Sequence, residues 1–263
     1  MRGRSLTWPA ILGLLLMGGC RALPPAPPPV SVASPEELLS RLQSRHRTIQ
    51  SFQAKGRITV LAPQQNYSGT ALLKGILPAT LRVDVLDFFG RTILSFATDG
   101  SRVQVFSPRE GKFFHGPATP RNLAAFIPPA VTLPQALRLL AGALPLSPGV
   151  PDRFEYDPDK GQYLMEWRGD GGTTQERLWV AAQGLAPAEE VWYGQAPEPR
   201  FTAQFSGFGG LAPDLPEKLT LKTTTPKIEL RLVYTELSLN PPLNPADLVL
   251  QPPPGVAVVP LNP

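Results

Sequence analysis

Residues 81–98 read LRVDVLDFFGRTILSFAT. Leu81, Val83 and Val85 alternate with Arg82 and Asp84, the period-two pattern of a strand with one face buried and one wet. Thr92–Thr98 is a second apolar run, so the two halves fold back on each other around Phe88-Phe89-Gly90. A turn between strands normally takes Gly, Asn, Asp or Pro. Two adjacent phenylalanines there have two readings. Either the loop folds back and buries them, or they form a greasy tip that touches a membrane or an acyl chain.

The same period continues in both directions. Upstream, Phe52, Ala54, Gly56, Ile58 and Val60 alternate with Gln53, Lys55, Arg57 and Thr59; Pro63–Asn66 makes a turn and Tyr67–Lys74 returns. Downstream, Arg102–Phe106 and Lys112–His115 follow, separated by TDGS and SPREG. After an interruption, strands resume at Arg153–Tyr156 and Gln162–Arg168 around the turn DPDKG. They continue through Gln175–Ala181, Glu189–Gly194, Arg200–Phe208, Lys218–Thr223 and Ile228–Leu239, with a candidate last strand at Val256–Val259. Short strands at such regular spacing predict an antiparallel meander of about eleven or twelve strands. No internal repeat points to a propeller or solenoid.

Helical signals are few. Ser34-Pro35-Glu36-Glu37 is a helix start, with Ser34 as cap, Pro35 at the first position and Glu37 completing a capping box. Leu38, Leu42 and Ile49 then share a face with Leu39 beside them, and His46 reads as a solvated residue off that stripe. Thr119-Pro120 opens a short stretch carrying Leu123 and Phe126, ended by Pro128-Pro129. Pro134–Ala141 carries Leu137, Leu139 and Leu140 and is closed by Gly142. Apolar helices between runs of strands must pack on something, and the concave face of the sheet is the surface expected to take them.

Met1-Arg2-Gly3-Arg4 is a basic start, followed by an apolar stretch from Leu6 to Met17 that is shorter than the ~20 residues a bilayer span needs. Leu16-Met17-Gly18-Gly19-Cys20 resembles the lipobox of bacterial lipoproteins, in which the Cys is acylated and becomes the first mature residue. Cys20 is the one cysteine of the chain. Several acyl tails, at about 0.8 kcal/mol per buried CH₂, anchor stably where one does not. Residues 1–19 are therefore expected to be a cleaved signal peptide. Residues 20–34, with five prolines between positions 24 and 29, form a semi-rigid tether. Arg21 stands where an Asp would favour inner-membrane retention in similar lipoproteins, which leans toward the outer membrane.

The formal charge of the 263 residues is +4, and two of the cations, Arg2 and Arg4, leave with the signal. No run of basic residues suggests a nucleic acid partner. There is no G-x-S-x-G, H-E-x-x-H or Walker motif, and the two histidines, His46 and His115, have no Cys partner for zinc. Asp84, Asp87 and Glu110 read as solvated carboxylates. No catalytic residue, metal or cofactor is expected.

In order, the lipobox, a helix, FQAKGRITVLAPQQNYSG, LRVDVLDFFGRTILSFATDG, IPPAVTLPQALRLLAGALP, LPEKLTLKTTTPKIELRLVYTELSLN and LNPADLVLQPPPGVAVV resemble the LolA/LolB lipoprotein-carrier superfamily, with the closer likeness to LolB-like outer-membrane receptors. The resemblance covers nearly all of residues 35–259. It implies a mainly β (α+β) fold, an open antiparallel half-barrel of about eleven strands with an N-terminal helix and short lid helices. It further implies a cavity that takes lipoprotein acyl chains, for which Leu81, Val83, Leu94, Phe96, Leu123, Phe126, Leu137 and Leu140 are the candidate wall and lid residues. Phe88 and Phe89 match the protruding apolar loop that helps transfer cargo into the membrane, although two aromatics stand where one aliphatic is usual. The implied protein is a monomer, lipid-anchored in the outer membrane and facing the periplasm. It would accept acylated lipoproteins from a LolA-like carrier. A structural or envelope-sensing lipoprotein of the same fold is the alternative.

Overall fold

The computed structural model describes residues 31–261, apart from 64, 195–196 and 212–213. The expected signal peptide, Cys20 and most of the Pro-rich tether lie outside the described residues.

The chain enters through helix α1 (Pro35–His46). Ser34 Oγ accepts the Glu37 N–H at 3.3 Å, as a capping residue should. Glu37 reaches one residue further back than a capping box would, accepting the Ala33 N–H at 3.0 Å. Leu38, Leu39 and Leu42 are buried, and so is His46, which corrects its reading as a solvated residue. Leu38, Leu42 and His46 recur every four residues, so His46 stays within the arc that Leu38 and Leu39 bury. Burial, with Arg45 and Arg138 nearby, pushes its pKa down to about 4, against an opposing pull from Asp214. Val32, still within the expected tether, is itself buried and donates its N–H to the Tyr163 hydroxyl at 3.2 Å.

Six strands follow as a meander: β1 (Ser51–Ala62), β2 (Gln65–Ile76), β3 (Thr80–Leu86), β4 (Thr92–Thr98), β5 (Arg102–Ser107) and β6 (Lys112–Pro117). After α2 (Pro120–Leu123) and α3 (Leu133–Leu140), a second meander runs through β7 (Arg153–Asp157), β8 (Gln162–Arg168), β9 (Thr174–Ala181), β10 (Pro187–Tyr193), β11 (Pro199–Ser206), β12 (Lys218–Thr223) and β13 (Ile228–Leu239). The long β13 pairs with β1 and joins both meanders into one sheet. Finally β14 (Ala257–Pro260) adds to the outer edge of β6 in parallel. The order is β14-β6-β5-β4-β3-β2-β1-β13-β12-β11-β10-β9-β8-β7, a 14-stranded sheet that does not close. The expected count of about eleven or twelve strands is therefore low, although each of the fourteen falls on a segment that the sequence marks as a strand, the short edge strands β7 and β14 included.

Register decides which alternating residues share the inner face. Leu73, Val83, Phe96, Val105, Phe114 and Val259 stand opposite one another across β2, β3, β4, β5, β6 and β14, and form one continuous apolar row. The lid helices lie over this face. Thr132 and Gln135 make a full capping box at α3, which fixes where that helix begins. Leu137 sits against Phe52 across Gly75, where any Cβ would strike both side chains; glycine lets α3 approach the strands. The Tyr234 hydroxyl donates to Leu140 O at 3.0 Å and Arg200 Nη2 to Ala130 O at 3.0 Å, so the second meander fastens the lid from its far side.

The inner face of β8–β10 is covered by α1 and by residues 143–151. Trp167 Nε1 donates to Gly149 O at 3.1 Å, and Glu176 accepts the Ser147 N–H at 2.8 Å. Glu176 and Glu190 are both buried there, and neither Glu190 oxygen nor Trp192 Nε1 has a hydrogen-bond partner. Burial pushes the Glu176 carboxyl up to about 7; burial and then the Glu176 charge push Glu190 well above the usual carboxylate range. On the convex face, a small second core of Ala97, Phe113 and Leu250 seats the C-terminal segment. Gln104 pins that segment through both the N–H and the C=O of Leu250, each at 3.0 Å.

A lidded apolar cavity with an aromatic tip

Between the lid and the inner face of the first meander lies a cavity of about 1860 Å³. That exceeds the roughly 300–1,000 Å³ of sites for drug-sized ligands. Its walls are the inward residues of β1–β6, β12 and β13, with β14 and Leu261 at one side and the lid from Ala124 to Leu140 above. Most of the wall is apolar and needs no polar partners, while Tyr67, Asp87, Arg91, Arg109, Glu110 and Arg121 are among the polar residues that also line the cavity. Phe126 stacks on Phe96, with centroids 4.6 Å apart and planes at 25°, and so closes the lid onto the apolar row.

Of the eight residues named from sequence for wall and lid, Leu81, Val83, Leu94, Phe96, Phe126 and Leu140 line this cavity. Leu137 and Leu123 do not. Leu137 is fully buried beneath α3, and Leu123 packs on the core with its helix ending at its own position. Sequence reasoning did not name Tyr67, Val259 or Leu261 as lining residues. Val259 and Leu261 carry no periodic signal of their own and reach the cavity only because β14 adds to β6.

The loop from Asp87 to Arg91 stands at the mouth. Phe88 is 95% and Phe89 77% exposed, so of the two readings of these residues the folded-back loop is the one that fails. The loop is nonetheless well fastened. Asp87 Oδ1 accepts the N–H groups of Phe89 (2.8 Å) and Arg91 (2.9 Å), and Oδ2 accepts Arg91 Nε at 2.8 Å. Those hydrogen bonds with Arg91 and Phe89 hold the Asp87 carboxyl below the usual carboxylate range. Gly90 takes φ +79°, the left-handed conformation that lets the chain turn back. Phe88 and Phe89 meet edge to face at 5.5 Å, and the Arg91 guanidinium lies 5.3 Å from the Phe89 centroid. A fastened loop that displays two bare aromatic rings has surrendered about 1.5–3 kcal/mol of burial for each.

Of the remaining titratable residues, Asp84 is tied to Arg82 (2.8 Å) and Ser95 (2.6 Å), and His115 is exposed on β6. Among the described residues, no three His, Cys, Asp or Glu side chains gather as a metal site. No helix among them is long and apolar enough to cross a membrane.

The fold has relatives among solved structures. A LolA superfamily protein from Nitrosomonas europaea superposes with a TM-score of 0.54 at 16% identity, over 83% of this chain and 99% of that one. A DUF1329 family protein from Desulfovibrio piger gives 0.57 at 10% identity, over 81% and 94%. A candidate outer membrane lipoprotein-sorting protein domain from Vibrio parahaemolyticus gives 0.51 at 11% identity, over 81% and 94%. Identities this low establish a shared LolA-like fold and nothing finer. No protein-family model matches the sequence, and a search of curated proteins finds no match.

Proposed function

We propose that this protein is a lipid-anchored receptor for the acyl chains of other lipoproteins, which it takes into the cavity and passes to the outer membrane. The observation that carries the reading is the pairing of a large apolar cavity with two exposed phenylalanines held at its mouth. A soluble domain has no use for 95% exposure of a phenylalanine unless something apolar meets it. Acyl chains offer nothing to hydrogen-bond, which matches the apolar body of the walls.

In this reading Cys20 carries the anchor, the segment up to the packed Val32 spans the gap to the domain, and Phe88 and Phe89 enter the bilayer beside the mouth. A LolA-like carrier would deliver the cargo. Transfer requires only that the acceptor holds the acyl chains more tightly than the donor. The nearest rival is a structural or envelope-sensing lipoprotein of this fold, which would bind a partner or lipid without passing it on.

The test mixes the purified protein with a triacylated lipoprotein and with the same lipoprotein unacylated. Capture of the acylated form alone supports a receptor. Subsequent release to outer-membrane vesicles that is lost in Phe89→Glu supports transfer. Equal capture of both forms refutes the proposal, and capture without release favours the sensing alternative.

A further inference from the structure

The chain enters the domain beside a patch of aromatic rings that is only half covered. Tyr163 on β8 and Tyr156 on β7 stand opposite one another in register, and Phe154 lies two residues before Tyr156, so the three rings share one face of the sheet. Ring centroids are 5.5 Å apart for Phe154 and Tyr163 and 5.1 Å apart for Tyr156 and Tyr163. Burial falls off across the patch. Tyr163 is buried and accepts the N–H of the buried Val32 at 3.2 Å. Phe154 is half-buried, and Tyr156, on the last strand of the sheet, is 47% exposed. Among the described residues the Tyr156 hydroxyl has no hydrogen-bond partner. The charges next in sequence are paired with one another, Arg153 with Glu155 at 2.6 Å and Lys160 with Asp157 at 3.6 Å. The result is a neutral aromatic shelf with a spare donor at its rim.

A segment suited to this shelf leaves from its side. Upstream of Val32 the sequence reads Ala22-Leu23-Pro24-Pro25-Ala26-Pro27-Pro28-Pro29-Val30-Ser31, without a charged residue. Such a run favours polyproline II at three residues per turn, which puts Pro24 and Pro27 on one ridge and Pro25 and Pro28 on the next. Ridges of this kind pack on aromatic-lined surfaces. Prolines offer carbonyl acceptors and no N–H, so a tyrosine ring with a free hydroxyl matches both their shape and their polarity. The reach also fits. Pro29 stands three residues before Val32, a span of about 9 Å in this conformation, enough to pass from Val32 across Tyr163 to Tyr156. Held on the same chain, the segment meets the shelf at a millimolar effective concentration, so weak contacts suffice to seat it.

We infer that the Pro-rich segment 24–29 docks on Phe154 and Tyr156, continuing the contact that Val32 begins on Tyr163. The tether then has two parts, one clamped to the domain and one free. Undocked and extended, residues 20–31 span about 37 Å; with the prolines docked, residues 20–23 leave about 12 Å. Docking thus sets how far the domain can stand from its attachment point. That consequence rests on Cys20 as the anchor, whereas the docking itself is independent of the acyl-chain reading and is tested without any ligand.

The experiment uses the full chain with Cys20→Ser, so that Ala26→Cys supplies the single thiol for a nitroxide spin label. Electron paramagnetic resonance should show a restrained label in this protein. Tyr156→Ala should convert it to the mobile form, with the unfolding midpoint confirming that the variant is folded. Pro27→Ser/Pro28→Ser should also free it while leaving the shelf itself unaltered. A mobile label before any of these changes overturns the inference. A label equally restrained in Tyr156→Ala overturns the location. Restraint that grows with protein concentration would assign the shelf to a second copy of the chain, and restraint that appears only with phosphatidylethanolamine vesicles would assign it to a lipid surface; either overturns docking of the tether.

Discussion

Replacing Glu176 by Gln should make the protein more stable, and increasingly so as the pH rises. The carboxyl is buried on β9 beside Glu190, and its pKa is pushed from 4.5 up to about 7. A raised pKa means that the native state keeps a proton the unfolded chain gives up. The contribution is therefore intact below pH 4.5 and lost as the pH climbs through 7. At about 1.4 kcal/mol per pH unit, ionising Glu176 costs the native state about 3 kcal/mol by pH 8. Gln has the same shape and keeps an acceptor for the Ser147 N–H, so the strap at residues 143–151 loses nothing. The substitution should be close to neutral at pH 4.5 and gain about 3 kcal/mol by pH 8, with further relief from sparing Glu190 a neighbouring charge. Urea unfolding followed by tryptophan fluorescence, on both proteins from pH 4.5 to 8.5, measures the difference directly. Titrating groups other than Glu190 are common to both proteins and cancel; Glu190, relieved of the Glu176 charge, adds to the gain in the same direction. A difference that stays flat across that range, or favours the unaltered protein at high pH, would refute the account of this pair.

The remaining predictions address the other end of the pH scale, the tip and the lid. His46 has the opposite sign: its pKa lies at about 4, so stability is lost as the pH falls from 6.5 toward 4, and His46→Gln should reduce that loss by about 3 kcal/mol in the same unfolding assay. Phe88→Glu/Phe89→Glu should lower partitioning onto vesicles at least a hundredfold in a flotation assay, since each ring contributes about 1.5–3 kcal/mol when buried, and should leave the unfolding midpoint unchanged because both rings are exposed. Leu137→Ala, beneath α3 at full burial, should cost about 2–5 kcal/mol in the unfolding assay. A smaller loss would mean that α3 rests loosely on the sheet.

Much of the fold was legible because alternation is a local signal. Leu81, Val83 and Val85 announce their strand whatever lies across from them, and the hairpin partner at Thr92–Thr98 follows at once. What a strand's face looks onto is not local. Leu123 and Leu137 have the same apolar character as Phe126 and Leu140, but one lies at the last turn of α2 and the other points at Gly75 rather than the cavity. Val259 and Leu261 belong to the wall only through the parallel addition of β14. His46 was readable from its four-residue spacing with Leu38 and Leu42 and was missed because its polarity argued the other way. Glu176 shares the inward parity of Leu178 and Val180, so a charged residue in step with the core was the available sign of the buried carboxyl pair. The exposed phenylalanines were visible as an anomaly from the first, since a turn seldom spends two aromatic rings without a use for them.

The pairing of β1 with β13 has a consequence for how the molecule is made. Gln50, just before β1, bonds to the side chain of Asn240, 190 residues later in the chain. During synthesis β1 therefore waits, with one edge bare, until almost the whole polypeptide has emerged. Contacts this distant in sequence slow folding and prolong the exposure of sticky edges. A chain cut short before β13 would leave β1 and β12 as unpaired borders of two half-sheets, neither able to shield the other. Such fragments should be aggregation-prone wherever they are released. The seam that makes one sheet of two meanders also makes β13 the arbiter of whether β1 is ever safely folded.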